Sequence, residues 1–117
     1  MDLSFSSKEL RSLCERKDAA VKKFGEVAAL KLRTRLADLI AARCYLDLPL
    51  GNPRIIAVNR VEYLVVDFDS ESCLTFAVGH PKPPLIQDGI TIDWVNVYRL
   101  RLIGIGPKHD ADTRISA

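Results

Sequence analysis

Two histidines and three cysteines, His80 and His109 with Cys14, Cys44 and Cys73, are the side chains best suited to move a proton or form a covalent bond near neutral pH. An imidazole titrates near pH 6.5, so it serves as acid or base under cellular conditions. His109 follows the last apolar run of the chain and is the strongest candidate for proton transfer, with a solvated residue at the head of a polar tail as the ordinary alternative. His80 precedes Pro81 and reads as a loop residue. Cys73 has no general base beside it in sequence and reads as a small passive side chain rather than a nucleophile. The odd number of cysteines, their wide separation and the two histidines make neither a disulfide framework nor a zinc ligand set. Free thiols are expected, with no metal. No phosphate-binding glycine loop, dinucleotide fingerprint or internal repeat is present, so no cofactor is expected.

The formal net charge of +2 is distributed unevenly. Residues 1–53 carry ten basic and seven acidic groups, whereas residues 54–117 carry seven and eight. Such a surplus permits RNA or an acidic partner and requires neither. Arg99 and Arg101 share one strand parity, opposite Leu100 and Leu102, and could present a cationic sheet face to an RNA backbone or simply keep that face wet. The composition, 48% hydrophobic and 27% charged over 117 residues, is that of one soluble globular domain. No apolar run is long enough to span a bilayer and no secretory pattern opens the chain, so a cytoplasmic location without a membrane partner is expected.

The elements that must position these residues follow from periodicity and punctuation. Ser6 or Ser7 caps a first short helix, and Ser6 with Glu9 makes a capping-box pattern ahead of Leu10, Leu13 and Cys14. Lys17-Asp18 marks a turn, and Gly25 weakens the entry to a second helix running from Glu26 to about Arg43. Phe24, Ala28, Leu32, Leu36, Leu39 and Ile40 recur at helical steps and form its buried stripe. Lys31 and Arg35 flank that stripe with their cationic ends in water, and Asp38 is placed to pair with Arg35. Pro49, Gly51 and Pro53 end the helical half. Strands are then expected at 54–58, 62–68 and 73–78, the last two joined by the polar turn 69–72. Residues 79–93, rich in proline and turn residues, read as a surface excursion that Trp94 anchors on its return. The final strand, 95–105, changes parity and predicts a bulge near Gly104. The domain is expected to span 1–109, with a loose tail over 110–117.

Taken in order, Ser6 to Leu13, Ala28 to Leu39 (AALKLRTRLADL), Leu46 to Pro53 (LDLPLGNP), Asp93-Trp94 and the closing strand before His109 resemble the HigB branch of the RelE/ParE superfamily, the toxins of bacterial toxin–antitoxin modules. The resemblance implies an α+β fold with an N-terminal two-helix hairpin on a small antiparallel sheet. It also implies a helix-turn-helix antitoxin as partner and, for nuclease members, metal-independent cleavage of messenger RNA on the ribosome. Such toxins present a Lys-Gly-Asp-Arg-like segment, a hairpin arginine and an Asp-Tyr-His-like strand end. Here these read Ala57-Val58-Asn59-Arg60, Cys73 and Gly106-Pro107-Lys108-His109, so Arg60 and His109 are retained. A 2′-hydroxyl that attacks its phosphate must lose a proton while charge grows on the phosphoryl oxygens. The resemblance accordingly assigns Arg60 to phosphate stabilisation and His109 to proton transfer. Lys108, where such toxins carry another residue, would add a movable cation to the same pocket, surface salt bridging being the ordinary alternative for Arg60 and Lys108. Arg99 and Arg101 could extend the cationic face to the RNA backbone. Two other functions stay open: an antitoxin-binding module that has lost catalysis, and a gyrase inhibitor of the ParE kind.

Overall fold

The computed structural model describes residues 1–108. Strand β1 (Asp2–Phe5) is followed by helices α1 (Lys8–Glu15), α2 (Lys17–Phe24) and α3 (Glu26–Ala41), then by β2 (Arg54–Val58), β3 (Val61–Asp67), β4 (Ser72–Val78) and β5 (Arg99–Pro107). The five strands form one sheet in the order β1-β5-β4-β3-β2. The architecture is α+β, as expected, with two corrections.

The helical half has three segments rather than two. Ser7 caps α1, its side chain accepting from the Leu10 amide at 3.2 Å, but Lys17-Asp18 opens a further helix instead of a turn. Arg16 is extended between α1 and α2, and Gly25, at φ +86°, separates α2 from α3 within a single residue. The sheet is mixed rather than antiparallel, because β1 lies parallel to β5, Leu3 opposite Leu100 and Phe5 opposite Leu102. Four residues were too few to stand out as a strand, although Leu3 and Phe5 do alternate inward.

The helices cover one face of the sheet. Leu32, Leu36 and Leu39 of α3 pack with Leu64 and Val66 of β3, Leu74 and Phe76 of β4, and Leu100 and Leu102 of β5. Burying each such side chain contributes about 1.5–3 kcal/mol. The stripe differs from its sequence reading at two positions. Ala29 is buried, while Ile40 points outward. On the opposite face Val65, Cys73 and Ile56 form a second, small apolar cluster.

Two local devices position the strands. Thr75 faces Gly104 and Phe76 faces Leu102, so Ile103 is the extra residue of a bulge where the parity change predicted one. The α-amino group of Met1 donates to the carbonyls of Leu39, Ile40 and Ala42 at 3.0, 2.8 and 2.7 Å. A cation thereby satisfies carbonyls that the end of α3 leaves without helical partners. Trp94 is buried edge-on against Tyr45, ring centres 6.5 Å apart, and returns the 79–93 excursion to the sheet.

Candidate anion-binding cleft

Strand β2 begins at Arg54, opposite Val65, so β3 runs two residues beyond its paired neighbour. The backbone of Asp67 must find other partners there. Its amide donates to the Gly51 carbonyl at 2.7 Å, and its carbonyl accepts from Nε of Arg35 at 2.8 Å. Arg35 is therefore 9% exposed rather than wet-ended as its position in the helix suggested. Its Nη1 donates to Oδ2 of Asp38 at 2.7 Å, the pairing read from the sequence. Gly51 has φ +101°, and a Cβ there would stand 2.8 Å from Cγ1 of Val66 and 3.0 Å from both Arg35 Nε and the Asp67 carbonyl. The Leu50-Gly51-Asn52-Pro53 break thus lets the chain pass close enough to complete β3.

The carboxylate of Asp67 collects two further cations. Nη1 of Arg54 lies 3.0 Å from Oδ1, and Nζ of Lys108 lies 3.2 Å from Oδ2. Lys108 is held in place by its own amide, which donates to the Glu71 carbonyl at 2.9 Å. A cleft of about 270 Å³ opens beside these groups, between Leu50-Gly51-Asn52 on one side and Phe68, Asp69 and Lys108 on the other. At its rim, burial raises the Asp69 carboxyl. Hydrogen bonds from the Glu71 and Ser72 amides, at 2.9 and 2.7 Å, outweigh that burial and hold it below the usual carboxylate range. An ammonium group carries more N–H donors than its contact with Asp67 uses, so Lys108, which lines the cleft, can serve an added anion such as a phosphate, while Arg54, outside the lining, also donates to the Asn52 carbonyl at 3.0 Å.

Comparison with protein-family models, with curated proteins and with solved structures returns no match.

Of the residues singled out in sequence, Lys108 lies in the cleft and His109, its neighbour, lies outside the described residues. Arg60 is elsewhere. It occupies the two-residue β2–β3 turn with Asn59, both at positive φ, +67° and +53°, as the hairpin twist requires. Seven residue steps along β3 separate it from Asp67, about 23 Å. Its side chain lines another groove, of about 390 Å³, with Ala57, Glu62, Ile90 and Ile92. The structure does not bring Arg60 and Lys108 into one pocket.

Arg99 and Arg101 are exposed, alternating with buried Leu100 and Leu102 as their parity required. Arg99 faces Asp2 at 4.0 Å and lies over the Tyr98 ring. Cys73 is fully buried, opposite Asp67 on β4. Burial, with the charge of Glu15, pushes the Cys14 thiol up to about 12, so it stays protonated. His80 is a loop anchor: its Nε2 accepts from the amides of Tyr98 and Arg99 at 3.1 and 3.2 Å. Among the described residues no cluster of three His, Cys, Asp or Glu side chains could hold a metal ion, and no helix is long and apolar enough to cross a membrane.

Arg54 and Asp67 as site residues, and the close approach at Gly51, escaped the sequence reading. A signal for the first two existed. Taking Asn59-Arg60 as a two-residue hairpin sets Val58 opposite Val61, which places Arg54 diagonal to Asp67 on one face.

Proposed function

We propose that this chain is a toxin of the RelE/ParE kind, HigB-like, which engages RNA or the ribosome and is neutralised by a cognate helix-turn-helix antitoxin. The observation that carries the reading is the cleft at Asp67, where Lys108 from the end of the closing strand, Arg54 from the start of the edge strand β2 and Arg35 from the helical layer meet on one residue. The strand end is the place at which the resemblance expects phosphate chemistry. A backbone phosphate entering the cleft would take donors from Lys108, which lines it, with Arg54 adding charge through the shared Asp67 carboxylate, and the row Arg99 and Arg101 would follow the strand beyond it. Cleavage in addition needs a proton-exchanging group, the role proposed for His109.

A second reading, an antitoxin-binding module without nuclease activity, is favoured by a specific observation. Arg60 and Lys108 lie at opposite ends of the sheet and line separate depressions, and Cys73, at the hairpin arginine position, is buried. Two positions that are cationic in such toxins therefore bring no cation to the cleft.

Induced expression in a bacterial host lacking the partner separates these readings. The wild-type chain is expected to arrest growth and to create new transcript ends, and an Arg54→Ala, Lys108→Ala double variant to do neither while remaining folded by circular dichroism. Arrest without new ends redirects the search to topoisomerase inhibition. Undisturbed growth and intact transcripts would overturn the toxin reading.

A further inference from the structure

Gly25 lets α2 stop and α3 start within one residue, and a groove runs between the two helices. Two adjoining depressions, of about 240 and 650 Å³, share Lys17, Val21 and Glu26 and make this groove continuous. Its floor is the buried Ala29, and the apolar surface it offers is the half-buried Val21 and Leu30, the latter 64% exposed. Val27, one turn earlier on α3, is 71% exposed. Large aliphatic side chains at helical spacing are ordinarily turned into a core, and the core stripe of α3 is already supplied by Leu32, Leu36 and Leu39. Lys17, Lys22 and Arg33 line the groove's polar margins. Of the two acids there, Asp18 is occupied by Arg16 at 2.9 Å, which leaves Glu26 against three cations.

We propose that this groove takes an amphipathic helix of a partner protein, its aliphatic face on Val21 and Leu30 and its acidic flanks on Lys17, Lys22 and Arg33. An apolar strip between charged margins is how helix-in-groove recognition is built. The margin's sign selects an acidic occupant and sets like charge against a basic one. A second copy of the chain is disfavoured for the same reason, since an isologous contact would set the basic margin against itself. RNA would use the cations and leave Leu30 in water. The surface lies on the helical layer, away from the strand ends, so the inference goes beyond the RNA reading and does not depend on cleavage.

The test titrates the full chain into a labelled synthetic helical peptide with leucines at i, i+3, i+4 and i+7 and glutamates along both flanks, followed by fluorescence anisotropy. Saturable binding that weakens with added salt is expected. Leu30→Asp, and separately Lys17→Glu with Lys22→Glu, should each weaken it by about tenfold or more, a loss of about 1.4 kcal/mol. Each change is at the surface, and unaltered circular dichroism shows that the fold is kept. Equal binding of a lysine-flanked peptide, binding unchanged in Leu30→Asp, displacement by an RNA homopolymer with the leucines irrelevant, or no binding at all would overturn the proposal. Growth arrest is read in a separate assay, so failure of the groove and failure of the toxin reading are distinguishable.

Discussion

His80 holds the start of β5 through a lone pair, and a protonated imidazole has none to offer. Both of its amide donors, on Tyr98 and Arg99, need Nε2 as acceptor, which fixes the neutral ring with its proton on Nδ1. Burial, and after it the nearby Arg99 charge, lower the pKa of His80 below its ordinary value. Tyr98 stands edge-on to the ring at 4.4 Å, and Asp2 sits 4.0 Å from Arg99, where it offsets part of that charge. Because the folded chain resists protonation more than the unfolded one, the unfolded chain binds the proton first as pH falls. The contribution of His80 to stability is therefore complete above the ordinary histidine value, about 6.5, and is lost as pH drops through the lowered folded value. Urea unfolding of the wild type and of His80→Ala checks this. The stability difference between them should be largest at and above neutral pH and shrink on mild acidification. A difference that stays constant or grows with acid would show that Nε2 is not the acceptor.

The passage from the helical half to the sheet turns on Gly51. Its φ of +101° is open to glycine and strained for any side chain, and a Cβ there meets Val66, the Arg35 fork and the Asp67 backbone at 2.8–3.0 Å. Gly51→Ala should therefore destabilise the fold by about 2–3 kcal/mol, seen as a lower denaturation midpoint. Because Asp67 loses its amide partner, the Arg54 and Lys108 ion pairs should loosen with it. Gly25, with nothing within 4 Å of an added Cβ, lacks this steric component and should be the milder site. These two glycines illustrate what could be read without coordinates. Helix α3, the strands β2 to β4 and the Gly104 bulge were legible because their periodicities repeat over enough residues to be distinguished, and Ser7 announces α1 by its type. Strand β1 was not, since four residues alternate too briefly. Nor was the helix at 17–24, because Lys17-Asp18 has the composition of a turn and also suits a helix start, where Asp18 in the first turn complements the dipole. Gly51 was legible as a helix stop but not as a close approach, because the residues it must clear, Val66 and Asp67, arrive from a strand fifteen residues later.

Across the whole molecule, the sheet sets the distances that decide which cations act together. Strands β3 and β5 run in the same direction with β4 between them. Arg60 and Arg99 therefore mark one end of the sheet, and Asp67 and Lys108 the other. Spacing along the chain could assign residues to strands, but convergence depends on which strand ends coincide. That follows from the register of three pairings and is where the expected single pocket fails. The consequence is measurable by a double-mutant cycle on Arg60→Ala and Lys108→Ala. Lys108→Ala removes one of the two cations described on the Asp67 carboxylate and should cost about 0.5–1 kcal/mol of stability, whereas Arg60→Ala, at an exposed turn, should change it by less than about 0.5 kcal/mol. Sites this far apart with no shared partner add to within about 0.3–0.5 kcal/mol. The same additivity is expected of affinity for a short single-stranded RNA, because two cations at opposite ends of the sheet reach different phosphates, each loss reducing the salt dependence of binding by its own increment. A coupling energy above about 1 kcal/mol in RNA affinity would instead mean that one phosphate bridges both cations, and that the bound sheet bends to bring its two ends together.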